Sequence, residues 1–245
     1  DTFSSRGLGD VYKRQVYIPR FVLVYFLSAV AIAAYFYPGG NHLDASQQGY
    51  DFTINFLSEL GFYNTLSGET NFLSAFFFNS AMFMHILVGV GFLMMPKLFN
   101  DNIYSYVSAW LGAITISISC VFFAGVGLTP GDLYFPAHIF AVQNAFNLVF
   151  FAYLFICLAF FFSSSSNKYT IGSIMMFVIT ISYAIFISDQ QVIDPVNEKE
   201  LFQEVVTTEV LRINAILQKL VTIFMNISLL MFSYGFADRI KRKGF

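Results

Sequence analysis

Charge is what this sequence is shortest of. Only 11% of its 245 residues are Asp, Glu, Lys or Arg, against about 25% in soluble domains. That is too little charge to coat a water-facing surface. Basic residues are no richer: 13 Lys and Arg stand against 15 Asp and Glu, a net charge of −2. A chain of that balance presents no positive field for nucleic acid. Cysteine is scarce too. Cys120 and Cys157 both lie in apolar runs, where they read as small packing residues, and two such thiols give no disulfide framework. No HExxH, HxxxH or paired-Cys spacing occurs, so no metal signature is present and no pattern names a cofactor.

What is abundant is apolar: 57% of the residues, with a mean hydropathy of +0.65. Six runs are long enough to cross a bilayer, which takes about 20 apolar residues per helix. They fall near 21–37, 72–95, 104–127, 137–162, 169–188 and 217–236, punctuated by Pro38-Gly39-Gly40, Pro96, Thr129-Pro130-Gly131-Asp132 and Ser163 to Asn167. The fold class is therefore all-α, an integral membrane six-helix bundle. Arg20, Lys97, Lys168 and the run from Arg239 to Lys243 fall on one side, whereas the 38–71 and 128–136 loops contain no Lys or Arg. Cationic loops stay in the cytoplasm, which predicts a cell-membrane protein with both termini cytoplasmic.

Two boundaries are less regular. Ser4 to Gln15 reads SSRGLGDVYKRQ and resembles translated sequencing-adapter read-through, so residues 1–15 are expected to be a non-native tail and 16–245 a single six-span domain. Before the last span, Leu201, Phe202, Val205, Val206, Val210 and Ile213 recur near helical spacing between Glu200, Glu204 and Glu209. This predicts an acidic amphipathic helix, lying at the interface or over the bundle as a lid. Ser105, Ser108, Gly112, Thr115 and Ser119 share one face of the third span, a small-residue face suited to close helix packing.

The chain is organised around residues 50–79. Asp51 can cap a short interfacial helix over 52–60, and Gly61 then stands where a left-handed C-terminal residue is wanted. Asn55-Phe56-Leu57-Ser58-Glu59-Leu60-Gly61, followed by Asn79, resembles the Ser-acidic-Leu-Gly motif of the membrane family catalogued as domain of unknown function 998. The Thr129 to Asp132 turn with His138, and the ending Tyr234-Gly235-Phe236-Ala237-Asp238-Arg239, resemble further patches of that family. A more distant similarity runs to the Frag/DRAM/Sfk group of six-span proteins. The resemblance implies a six-helix bundle of unassigned activity, and the acidic insert before the last span departs from its compact pattern.

Ser58, Glu59, Asp132 and His138 are all placed at the outer side, together with His42, Asp44 and Asp51. Glu59, Asp132 and His138 could form an acid/base or metal site, with Ser58 as a nucleophile. They serve equally as turn, cap and helix-end residues, which the absence of catalytic spacing favours. Polar residues inside the spans include Asn79 and His85 in the second, and Gln143, Asn144 and Asn147 in the fourth. His85 is expected to pair with a neighbour such as Thr115, and the amides to bond between helices. Three functions follow in order: a non-enzymatic membrane protein binding lipid or a partner through its outer face; a lipid hydrolase with the Glu/Asp/His site; and a neutral-solute transporter. The first five spans contain no Asp, Glu, Lys or Arg, which counts against ion-coupled transport.

Overall fold

The computed structural model describes residues 12–188 and 190–242. Six of its helices are long and apolar enough to cross a membrane. The chain is a multi-pass membrane protein. In chain order the helices are α1 (Ile18–Phe36), α2 (Phe72–Phe92), α3 (Ile103–Leu128), α4 (Phe135–Phe161), α5 (Ile171–Ile187), a short α6 (Lys199–Val205) and α7 (Thr208–Arg242). Among the described residues there is no strand, only two isolated bridges, Gly39 with Gln48 and Asn64 with Thr70.

Prolines and short polar caps set the helix starts. Pro19 and Pro136 occupy the first turns of α1 and α4, where a missing backbone N–H leaves nothing unsatisfied. Asn102 caps α3 by accepting from the Ser105 amide at 3.0 Å. Residues 1–11 of the expected tail lie outside the described residues. Residues 13–17 form a π-helical turn that leads directly into α1, and the buried Gln15 side chain donates to the carbonyl of Gly91 at 2.6 Å.

Consecutive helices α1 to α4 pack side by side, and α7 closes the bundle against α5 and α1. On α3 the small-residue face meets α4: Gly112 lies against Ile156, and Ser119 Oγ donates to the carbonyl of Ala145 at 2.7 Å. Helix α5 is peripheral, with 17% of its apolar window buried against 39–44% for the other spans. At one end of the bundle Phe99, Phe160 and Phe236 stack face and edge at centroid distances of 5.0–6.1 Å. Arg239 seals this end, 3% exposed. Its Nε reaches the carbonyl of Leu98 at 2.7 Å and its Nη2 reaches Asp101 at 2.7 Å, with the guanidinium lying over the Phe99 ring. A buried guanidinium needs this many acceptors to offset its lost hydration.

Two expected elements differ. The interfacial helix over 52–60 is instead a turn at Asp51–Asn55 followed by a 3₁₀ turn, Leu57–Gly61. Asp51 Oδ1 accepts from the amide and hydroxyl of Thr53 at 2.7 and 2.8 Å, and that local ring closes a turn in place of a helix. The acidic amphipathic helix is also cut short. It breaks after Val205, because Thr207 starts a new helix by accepting from the Val210 amide at 3.3 Å. The last span therefore begins at Thr208 rather than 217.

Candidate functional site

The 38–71 loop folds into a cap over the end of the bundle opposite Arg239. Four glycines with positive φ bend it, at 39, 40, 49 and 68. Gly39 and Gly40 are the most constrained of them: a Cβ would stand 2.2 Å from the carbonyl oxygen of Gln47 at the first and 2.2 Å from the amide nitrogen of Ser67 at the second. Gly61 is not among them. It needs to be glycine for a different reason, since a Cβ would lie 2.4 Å from Asn79 Oδ1 and 2.8 Å from the Phe78 ring. The expected left-handed cap is thus a close approach of the loop to α2. Asn79 Nδ2 donates to the carbonyl of Gly61 at 3.1 Å. Ser74 and Asn71 both donate to the carbonyl of Leu60, at 2.9 and 3.1 Å.

Beneath the cap's surface lies a buried polar cluster around Glu59, which is 1% exposed. His42 Nε2 stands 2.9 Å from Glu59 Oε1, and the His42 side chain is 4% exposed. The same carboxylate oxygen accepts from the Phe56 amide at 3.1 Å, and Oε2 accepts from Asn55 Nδ2. Asn55 is the hub. Its Nδ2 also reaches the carbonyl of Gly40 at 2.9 Å, and its Oδ1 accepts from the Asp51 amide at 3.0 Å. Its own carbonyl accepts from Lys219 Nζ at 2.6 Å and from the Tyr50 hydroxyl at 3.2 Å. Lys219 belongs to α7 and stands close enough to Glu59 for their charges to interact. The neighbouring Gln218 accepts from the Leu57 amide at 2.7 Å, so α7 is bolted to the cap twice. Phe202 of α6 lies over the His42 ring at 5.0 Å, covering the cluster from outside.

Burial shapes the ionisation of the cap. Tyr37 and Tyr50 are pushed well above the usual phenol value, first by burial and then by the Glu59 charge. Burial pushes the Asp51 carboxyl up. The Thr53 amide and hydroxyl, the Ile54 amide and the Arg212 charge outweigh that and hold it below the usual range.

The proposed catalytic trio is engaged with separate partners. Glu59 serves the His42 and Asn55 cluster. Asp132 accepts from the Tyr63 and Asn64 amides at 3.0 and 2.9 Å, which ties the third interhelical turn to the cap and puts both at one end of the bundle. His138 is buried, with Nδ1 2.7 Å from the carbonyl of Thr129. Ser58 lines a cavity below the cap. His85 lines the same cavity but bonds to its own helix, Nδ1 lying 3.0 and 3.2 Å from the carbonyls of Ala81 and Met82. Thr115 is not its partner. Asn144 likewise turns back to its own helix, donating to the carbonyl of Phe140 at 2.8 Å, while Asn147 is exposed. Among the described residues no group of three His, Cys, Asp or Glu side chains is placed to hold a metal ion.

Lys219 and the pairing of His42 with Glu59 escaped the sequence reading. One signal did point to Lys219: it sits in the first turn of the predicted 217–236 span, and a cation at the edge of an apolar run calls for a carboxylate or carbonyl partner. His42 carried no such signal, because its 17-residue separation from Glu59 spans three turns.

No family model, curated protein or solved structure matches the chain, so its resemblance to domain of unknown function 998 stands on its motif residues alone.

Proposed function

We propose that this multi-pass membrane protein is a non-enzymatic lipid-binding bundle whose capped end is the binding region and faces away from the cytoplasm. The observation that carries this reading is how the cap spends its polar groups. Glu59, Asp132 and His138 are each bound to a different structural partner, and a catalytic group must instead be free to reach substrate. Meanwhile Phe36, Phe52, Tyr63, Phe72, Leu133 and Tyr134 remain exposed around the capped end, each at 44% or more. Aromatic rings at that depth rest among lipid headgroups. The orientation is supported by Lys97, Lys168, Lys241 and Arg242, which belong to the opposite end. Ser46→Cys, labelled by a membrane-impermeant maleimide on intact cells and compared with the parent that has only Cys120 and Cys157, tests the orientation. Lipid retained by purified protein and measured by native mass spectrometry tests binding. Replacing Phe52 and Tyr134 with Ser is expected to strip the retained lipid, and unchanged retention would remove the outer face as the site.

A second reading, lipid hydrolysis at the same end, draws on one observation. The His42–Glu59 pair lies beside Ser58, which faces the cavity. It predicts ester turnover that Ser58→Ala abolishes, and lipidomic comparison of cells with and without the gene would reveal it.

A further inference from the structure

Below the cap, α1, α2, α3, α4 and α7 leave a narrow cavity of about 30 Å³. Its walls are mostly apolar, with Phe78, Met82, Phe123, Phe146 and Met225, while Ser58, Gln218 and Thr222 line it as well. No Asp, Glu, Lys or Arg lines it. His85 supplies its deepest polar group, on a side chain 6% exposed.

The His85 ring is held in one state by its neighbours. Nδ1 faces the carbonyls of Ala81 and Met82, and carbonyls only accept, so Nδ1 carries the proton. In the neutral ring Nε2 is then a lone-pair acceptor. Among the described residues nothing bonds to Nε2. The ring cannot swing away from this arrangement, being stacked on Phe123 at 5.1 Å and met edge-on by Phe26 at 5.6 Å. The chamber, whose lining also includes Ser58, Gln218 and Thr222, therefore contains a fixed hydrogen-bond acceptor that no side chain fills, and displacing water from it without supplying another donor is costly.

We infer that this cavity binds an uncharged single-chain lipid bearing a hydroxyl group, with the hydroxyl donating to His85 Nε2. The inference deepens the lipid-binding reading and rests on it. The chemistry selects the ligand class by exclusion. A phosphate, carboxylate or ammonium group would enter with no countercharge in the lining, which low-dielectric surroundings penalise heavily. A pure hydrocarbon would leave Nε2 unfilled. A hydroxyl meets both conditions. The resting volume suits one or two water molecules, so a chain must displace side chains to enter. Met82 and Met225 are the walls that can yield, because unbranched thioethers repack at low cost. At the cap side, Ser58 Oγ has no hydrogen-bond partner among the described residues, and it is the next polar group that an entering hydroxyl meets.

The test uses the full chain in nanodiscs, labelled with a diazirine-bearing long-chain alcohol. The same-chain fatty acid and phosphatidylcholine probes run in parallel, and peptide mass spectrometry locates the adducts. The expected result is saturable alcohol labelling around Met82 and Met225, competed by unlabelled alcohol and absent with the two charged probes. In His85→Phe the labelling should fall about tenfold, the ratio that one hydrogen bond supports. Should that variant fold poorly, Met82→Trp fills the chamber while leaving His85 in place, and should give the same loss in monodisperse protein. Equal labelling by all three probes, or alcohol labelling unchanged in both variants, overturns the inference. Adducts confined to the exposed cap residues overturn it too, while leaving lipid binding at the outer face intact. Absence of saturable labelling anywhere overturns both.

Discussion

Asn79 Nδ2 donates to the carbonyl of Gly61 at 3.1 Å, and the same amide group stands where a side chain at position 61 would have to go. One contact thus binds the cap to α2 and enforces glycine there. Gly61→Ala is expected to destabilise the protein by about 1–3 kcal/mol, the usual penalty for forcing a methyl into a filled site. Thermal unfolding in detergent measures it. Gly68→Ala makes the opposite kind of comparison. A Cβ there meets nothing within 4 Å, so its penalty comes from backbone conformation alone, about 1 kcal/mol.

Glu59 is the cap's central acceptor, and its removal orphans several donors together. Glu59→Ala should lose on the order of 3 kcal/mol, because the Asn55 amide group, the Phe56 amide and the His42 ring lose a buried acceptor together. Glu59→Gln keeps an acceptor for the Phe56 amide and should lose about half of that. Chemical denaturation of the two variants gives the ratio, and equal losses would mean that the carboxylate's negative charge, not its capacity to accept, carries the whole effect.

Asp132 holds two backbone amides, of which Tyr63 belongs to an exposed residue and Asn64 to a half-buried one. Water can replace much of what the carboxylate supplies, so Asp132→Ala should cost only about 1 kcal/mol. The clearer readout is local. Amide hydrogen exchange at positions 63 and 64 should accelerate while the helices stay protected.

The cap also sets two pH limits. Asp51 and Asp44 are both held below the usual carboxylate range, Asp44 by the hydroxyl and amide of Ser46. A depressed carboxyl contributes stability above its unfolded value, about 3.9, and that contribution is lost as pH falls through the lower folded value. Tyr37 and Tyr50 act at the other extreme. Their folded values are raised by burial. Their contribution is complete below the unfolded value of about 10 and is lost as pH rises toward the folded one. Phenolate absorbance from Tyr37 and Tyr50 should therefore lag behind the ordinary phenol value of about 10 and then appear together with cap unfolding. Titration of both tyrosines at the ordinary value would contradict their burial.

Sequence alone determined the six long apolar helices, since hydropathy and length are local properties and a bilayer demands about 20 apolar residues per crossing. Motif order also put Gly61 and Asn79 in one patch, and the two are in contact. Tertiary structure decided what these residues touch. His42 meets Glu59 only because Gly39, Gly40 and Gly49 turn the loop back on itself. Lys219 and Gln218 reach the loop only because α7 packs in from the far end of the chain. The turn at Asp51 replaced a helix because a side-chain hydrogen bond over two residues outcompeted the helical ladder. Spans are written in single-chain periodicity, whereas a polar cluster is a meeting of segments up to 164 residues apart, and nothing in the local pattern of any one of them encodes where the others will stand.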